Sequence, residues 1–468
     1  MRYEIPEAHE KMMTARKGIK QLDMTQGRPA GLLISFAIPI FLGNVFQQLY
    51  NIMDSVIVGR FVGADALAAV GVCSGPYSVF VGLNMGLSTG VGILVAQLYG
   101  AGKEEQIKKV VANALILLMA SALITGGLGF VLAEKLLVLL GTPESVMDRA
   151  LIYMRTVFVS ILGMALYHCV NGILRALGDS RTPLFFLALS SVLNIVLDVC
   201  FVTVVRWDVF GVAFATLLSQ LIAAGAGLIY ARKKYECFRF PLSQLRPHRA
   251  VLQKLLYTGL PLALQSSTIN ISAAVLQGFV NSFGETVVAA NTIINKFDNL
   301  NNMPLSSLSM ALSTYTGQNV GAGQKKRVQS GYRVGWMMAI AYSVLVFVVG
   351  HVFGGMFADF FVQGEPEVRS YSVLGIGILS CGVLALSMIY VNRSILNGAG
   401  DTGFALFNGT VEIVGRIGFA WLYTVVLQIG PAGLWLTAVS NWLLTGLVCQ
   451  ARYLSGVWKR KGEAQQEG

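Results

Sequence analysis

Twelve apolar stretches of twenty or more residues run through this chain and leave little room for anything else. They fall at about 31–52, 67–98, 110–133, 151–174, 183–205 and 210–231, then at about 252–282, 286–318, 334–357, 371–396, 404–427 and 433–454. Each is bounded by Gly, Pro or charge, as helix ends are, and each is long enough to cross a hydrocarbon core, which takes about 20 residues. Only 13% of residues are charged and 54% are hydrophobic, against about 25% charged in an ordinary soluble protein. A disordered chain and a soluble fold are both excluded, and no polar stretch is left for a soluble catalytic domain.

The stretches divide into two sets of six, and the sets repeat each other. Gln97 to Lys103 (Gln-Leu-Tyr-Gly-Ala-Gly-Lys) returns as Gln318 to Gln324 (Gln-Asn-Val-Gly-Ala-Gly-Gln), at an offset of 221. Gly178-Asp179-Ser180 returns as Gly400-Asp401-Thr402, and Pro39 returns as Pro261, both at an offset of 222. With six spans per half, both halves enter the membrane in the same direction. The predicted fold is therefore an all-α polytopic membrane protein, its 12 transmembrane helices forming two six-helix lobes about a pseudo-twofold axis along the membrane normal. Residues 1–28 form an N-terminal tail, 29–231 the N-lobe, 232–251 a basic linker, 252–454 the C-lobe and 455–468 a C-terminal tail.

The net charge of +11 has its explanation in topology. With the N-terminus inside, 27 of the 35 Lys and Arg lie in the tails and inner loops, and six lie in outer loops or helix ends, as the positive-inside rule requires. Both termini are expected to be cytoplasmic, since the N-terminal tail has no apolar core of a signal peptide. The basic surplus then meets anionic lipid, and nucleic acid drops out as a partner. Six scattered cysteines include no Cys-x-x-Cys pair, and no Gly-x-x-x-x-Gly-Lys phosphate loop is present, so metal chemistry and ATP hydrolysis are not expected.

Polar groups inside the spans cost about 2.5–3.5 kcal/mol each when charged and are functional candidates. Gln47, Tyr50, Asn51 and Asp54 stand at i, i+3, i+4 and i+7 of the first span, one polar stripe that must face the bundle interior unless Asp54 reaches the outer surface. Asn194 and Asp198 share a face of the fifth span amid Val, Ile and Leu. A carboxylate in such surroundings can exchange a proton near neutral pH or coordinate a small hard cation; the alternative is a structural carboxyl bonded to a neighbouring helix. Glu412 and Arg416, at i and i+4 of the eleventh span, can pair directly, for structure or for transport, and an offset of 218 sets them opposite Asn194 and Asp198. Lys296 and Asp298 interrupt the eighth span ahead of three asparagines and Pro304. That composition suits a bent helix lining a watery cavity, or a segment partly among the headgroups.

On these residues the chain resembles the multidrug and toxic compound extrusion (MATE) family of secondary transporters over almost its whole length. The carriers are Pro39 through Gly59, Gly63-Ala64-Asp65-Ala66-Leu67-Ala68-Ala69-Val70-Gly71, Gln97 to Gly102, Arg175-Ala176-Leu177-Gly178-Asp179 and Gln318-Asn319-Val320-Gly321-Ala322. The resemblance implies export of bulky, often cationic compounds against H⁺ or Na⁺ by alternating access. It makes Asp54, Asn194, Asp198 and Thr216 the cation or proton site, with Tyr153 and Asn171 in the same network. NorM-type members place a glutamate in the seventh helix and an aspartate in the tenth. Here the seventh reads Gly259 to Ile269 without an acid, with Gln265 as its polar residue, and the tenth has none around Ser387, which favours a DinF-like N-lobe site.

The expectation is thus a secondary active antiporter of the cytoplasmic membrane, not an enzyme, acting as a monomer on small organic substrates. It needs no cofactor beyond its coupling ion, H⁺ or Na⁺; any Na⁺ would sit at Asp54, Asn194, Asp198 and Thr216. Gln47, Tyr50, Asn51, Gln265, Lys296, Asp298, Glu412 and Arg416 are expected to line the cavity. The alternatives are a lipid-linked glycan flippase of the same superfamily and, from another class, a non-transporting membrane sensor or scaffold.

Overall fold

The computed structural model describes residues 22–241, 245–362 and 364–460. The N-terminal tail before residue 22, the C-terminal tail after residue 460, residue 363 and part of the basic linker lie outside them. The described residues form twelve long helices. They are α1 (Pro29–Ile57), α2 (Ala64–Gly100), α3 (Glu104–Leu139), α4 (Glu144–Ala176), α5 (Arg181–Val199) and α6 (Asp208–Lys234), followed by α7 (Arg249–Asn281), α8 (Glu285–Gly321), α9 (Lys325–Phe361), α10 (Pro366–Gly398), α11 (Gly403–Trp421) and α12 (Ala432–Leu454). Ten are long and apolar enough to cross a membrane. The exceptions, α8 and α11, carry the Lys296/Asp298 and Glu412/Arg416 pairs.

Local chemistry sets the ends. Proline occupies the first turn of α1 and α10, where no N–H is needed. Acidic residues stand in the first turn of α2, α3, α4, α6 and α8, favourable against the helix dipole. Gly102 and Gly323, at φ +70° and +72°, end α2 and α8 in the left-handed conformation that glycine adopts without strain. Leu128, Val131 and Leu139 of α3 and Val352, Met356 and Phe360 of α9 are exposed, and in a membrane this apolar periphery meets lipid.

Helices α1–α6 form one bundle and α7–α12 the other, and the repeat reaches into local detail. α5 ends in a π-helical turn at Cys200–Val204 and α11 in one at Leu422–Val426, an offset of 222. The two helices start at that same offset, at Arg181 and Gly403. This register pairs Arg416 with Asn194 and Glu412 with Ser190, and replaces the offset of 218 suggested by the charged residues alone.

Among the described residues, contacts between the bundles run along α2 from Gly100 out to Ser78. Gly86 and Gly90 of α2 lie so close to α7 that an added Cβ would come within 2.3 Å of Ala263 and 2.4 Å of Gly259. At the ends of α2 and α8, Gln97 Nε2 donates to the Gly398 carbonyl and Gln318 Nε2 to the Ala176 carbonyl, both at 2.9 Å. Farther out, Ser267 Oγ donates to the Val79 carbonyl at 3.1 Å and Asn270 Nδ2 to the Ser78 carbonyl at 2.9 Å. Asn44 Nδ2 reaches Ser307 Oγ at 3.1 Å and Ser306 Oγ at 3.4 Å. Past Ser78 and Asn270, no hydrogen bond joins the lobes among the described residues. The face carrying the ends of α2 and α8 is the basic face; the cleft is sealed there and open at the far face.

The chain just before α1 adds to the seal. Leu22 N–H donates to the Gly178 carbonyl of the N-lobe. Met24, fully buried, donates its N–H to Gln318 Oε1 at 3.0 Å, and its carbonyl accepts from Asn319 Nδ2 and Arg327 Nη2. The basic linker is likewise held down, Tyr235 and Phe238 packing into the N-lobe base.

Candidate functional site

Inside the N-lobe bundle a cavity of about 460 Å³ runs between α1, α2, α4, α5 and α6, a size suited to a drug-like molecule. Met310 of α8 contributes from the other lobe. The α4 wall is one helical stripe, from Tyr153 and Val157 through Met164, Tyr167, His168 and Asn171 to Arg175. Twenty-two residues at 1.5 Å each make it about 33 Å long.

Asp54 and Asp198 meet at the open end of this wall. Their carboxyls lie near enough for each to act on the other. Asp198 is fully buried, and one oxygen of each carboxyl is buried with no hydrogen-bond partner. Asn194, one turn before Asp198, has its amide oriented by its neighbours: its nitrogen donates to Asp198 Oδ2 at 2.8 Å and its oxygen accepts from the Thr216 N–H at 3.3 Å. Thr216 Oγ1 lies 3.1 Å from the Tyr50 hydroxyl. Tyr153 faces the same group, close enough to feel the charge of Asp54.

Four helices thus deliver Tyr50, Asp54, Tyr153, Asn194, Asp198 and Thr216 to one spot. The local geometry explains why: i and i+4 positions share a helix face, for Tyr50 with Asp54 and for Asn194 with Asp198. Gln47 and Asn51 line the cavity above Asp54. Asn171 lines it too, but eighteen residues along α4 from Tyr153, about 27 Å away, beside Arg175.

Of the remaining candidates, Gln265, Glu412 and Arg416 belong to a separate group in the C-lobe. Glu412 accepts from Arg393 Nη2 of α10 at 3.0 Å and from Arg416 Nη2 at 3.3 Å. Arg393 also donates to Asn408 Oδ1 at 2.7 Å, the atom that Gln265 Nε2 reaches at 3.5 Å. Asp298 adjoins this group through the field of Arg416, and Tyr390 joins it by donating to Asn302 Oδ1 at 3.1 Å. Lys296 points elsewhere, lying 5.6 Å from the centre of the Phe361 ring on an exposed face.

Neither Arg393 nor Arg175 was expected at a site from the sequence, where topology counting assigns both to inner loops and Arg175 figures only in a family motif. α10 runs on past Arg393 to Gly398, and Arg175 stands in the last turn of α4, which closes at Ala176; Arg393 meets Glu412 and Arg175 lines the N-lobe cavity. The repeat held a signal for Arg393, which the offset of 222 pairs with Asn171.

Two six-helix bundles that part on one face above a polar, carboxylate-bearing cavity define a secondary transporter. The MatE family model matches residues 39–200 and again 261–422, one match per lobe at the structural offset of 222, and the chain belongs to that family. It is 31% identical to the probable multidrug resistance protein YpnP of Bacillus subtilis, over 94% of this chain and 98% of that protein. It is 27% identical to the probable multidrug resistance protein YoeA of the same organism, over 91% and 93%. The structure described as the outward-facing conformation of a multidrug resistance MATE family transporter of the MOP superfamily superposes with a TM-score of 0.85 at 24% identity, covering 94% of this chain and 99% of that one. This chain is accordingly a multi-pass membrane transporter of the ion-coupled kind, and not an enzyme.

Proposed function

We propose that this protein exports bulky organic compounds, many of them cationic, across the cytoplasmic membrane in exchange for H⁺ or Na⁺. The observation that carries this reading is the pairing of Asp54 with the buried Asp198, braced by Asn194, beside a drug-sized cavity that Asp54 and Thr216 line. With the cleft open at the far face, an ion from outside reaches the pair and bridges it. The N-lobe then rearranges around a neutralised site and the substrate leaves. Once the lobes have rocked, the ion departs to the cytoplasm, and the restored charge attracts the next cationic substrate. Met85, Met164 and Tyr77 in the wall give adaptable contacts for varied ligands.

The DinF-like reading is supported by the C-lobe, where the carboxylate of Glu412 is bound by two arginines and α7 and α10 bring no acid to the cleft. The concentration of Lys and Arg on one face supports cytoplasmic termini, with lobes at 29–231 and 252–454. A cleft completed within one chain supports a monomer surrounded by lipid. A glycan flippase is not favoured, since the multidrug relatives match over nearly their whole length.

The test is uptake of a fluorescent cationic dye into inside-out vesicles with Na⁺ and H⁺ gradients imposed separately. Dye movement driven by one gradient and abolished in Asp54→Asn and Asp198→Asn is expected. Normal gradient-driven uptake in both variants sinks the proposal.

A further inference from the structure

At the sealed end of the cavity, about 33 Å along α4 from Tyr153, stands Arg175. It lines both the main cavity and a smaller one of about 160 Å³ that continues it between the lobes. Among the described residues its guanidinium makes no ion pair and no hydrogen bond. Asp179, one turn on, is bound instead by Thr182, Lys234 and Tyr235. The contrast with the other lobe is direct: Arg393, equally interior, has Glu412 at 3.0 Å. A guanidinium drawn out of water is costly unless an anion or a set of acceptors meets it. The α4 C-terminus offsets part of that cost through its dipole but supplies no acceptor here.

The surroundings are those of a receptor for an anion. His168 lies nearer the open end and Asn171 stands between it and Arg175, all three on the cavity wall. Ser313 and Thr314 of α8 line the smaller cavity from across the cleft, so both lobes contribute donors. An arginine fork suits a carboxylate or phosphate oxygen pair better than a point cation does. The cavity is then polarised along its length, with carboxyls at the open end and a guanidinium at the sealed end.

We infer that Arg175, with His168 and Asn171, binds a compact anionic group of the substrate, a carboxylate or a phosphate. The preferred cargo is then an organic molecule carrying that group at one end and a cationic or apolar body at the other. This inference rests on the export reading above and names its substrate class.

The experiment is equilibrium binding to the purified full-length protein, by fluorescence polarisation, of a rhodamine with a free carboxylate and of its methyl ester. The two share one cationic ring system, and no ion gradient is involved. The expected result is about tenfold tighter binding of the acid, the scale of a charge-assisted hydrogen bond. That preference is lost in Arg175→Gln and kept in Arg175→Lys, and a phosphate-bearing cationic dye follows the acid. Equal binding of acid and ester by the unmodified protein overturns the inference, as does an equal loss of both dyes in Arg175→Gln. If the ester is bound and also pumped in vesicles without preference for the acid, only this inference falls. If neither dye is bound or pumped, the export reading falls with it.

Discussion

Gln97 and Gln318 make the same bond in opposite directions across the lobe boundary. Gln97, near the end of α2, donates to Gly398 at the end of α10; Gln318, near the end of α8, donates to Ala176 at the end of α4; both bonds are 2.9 Å long. The repeat in the sequence is thus a working part of the seal at the basic face. Gly100 and Gly321 permit the approach, since a Cβ at either would fall 1.9 Å from the carbonyl oxygen of Gln318 or Gln97.

Gly100→Ala is therefore expected to hold the basic face open. The clash is with backbone and cannot be relieved by a rotamer change, so a cost of about 1–3 kcal/mol or more applies to the sealed state. Spin labels at Glu105 and Lys326 should show a longer interlobe distance, and gradient-driven efflux should fall roughly tenfold or more. An unchanged distance distribution would disprove the role of the crossing.

Asn194, buried beside Asp198, and Asn171, on the cavity wall, should separate by function. Asn194→Ala removes the donor to Asp198 Oδ2 and leaves a buried carboxyl short of a partner, at about 1–3 kcal/mol. The ion concentration giving half-maximal efflux should move by about tenfold. Asn171→Ala, at the other end of the wall, should leave that ion dependence in place and alter substrate affinity. A shift of ion dependence in Asn171→Ala equal to that in Asn194→Ala would show one undivided site.

Much of this was legible in the sequence, for reasons that can be named. Twelve spans followed from apolar length, and the polar stripe of Tyr50 and Asp54 followed from helical spacing. Asn194 and Asp198 stood out because a carboxylate amid aliphatic residues demands explanation. What escaped was whatever depends on where a helix stops. Arg175 and Arg393 read as loop cations because charge conventionally ends a span, whereas α10 runs on beyond Arg393 and the last turn of α4 still holds Arg175. The partner of Glu412 was therefore only half visible: Arg416 lies one turn away in sequence, and Arg393 arrives from another helix.

The loop between α4 and α5 offers a pH test outside the membrane. Burial alone would push the Asp179 carboxyl up, but donation from the Thr182 hydroxyl at 2.6 Å and from the Tyr235 hydroxyl at 2.5 Å, with the Thr182 N–H and Lys234, holds it below the usual carboxylate range. A carboxyl lowered by folding stabilises the native state above its unfolded value, near 3.9, and that stabilisation fades as pH falls through the folded value. Asp179→Asn should lower the thermal midpoint in detergent at neutral pH, and the gap from the unmodified protein should narrow on acidification. A gap independent of pH would show that packing, and not charge, is what the loop needs.

The C-lobe charges make the last prediction. Glu412 is hydrogen-bonded to both Arg393 and Arg416, and it is 6% exposed. Glu412→Gln leaves two interior guanidiniums facing a neutral amide, and breaking a buried pair on one side costs about 3–5 kcal/mol. The single variant should be poorly stable and its efflux reduced in proportion to the folded protein recovered. Adding Arg393→Met removes one of the two stranded charges and should recover part of the lost thermal midpoint, because an unpaired buried charge is what costs most. If this double variant is stable and still pumps, the C-lobe charges serve the fold. If it is stable and pumps nothing, they belong to the transport cycle, and the purely structural account of Glu412 fails.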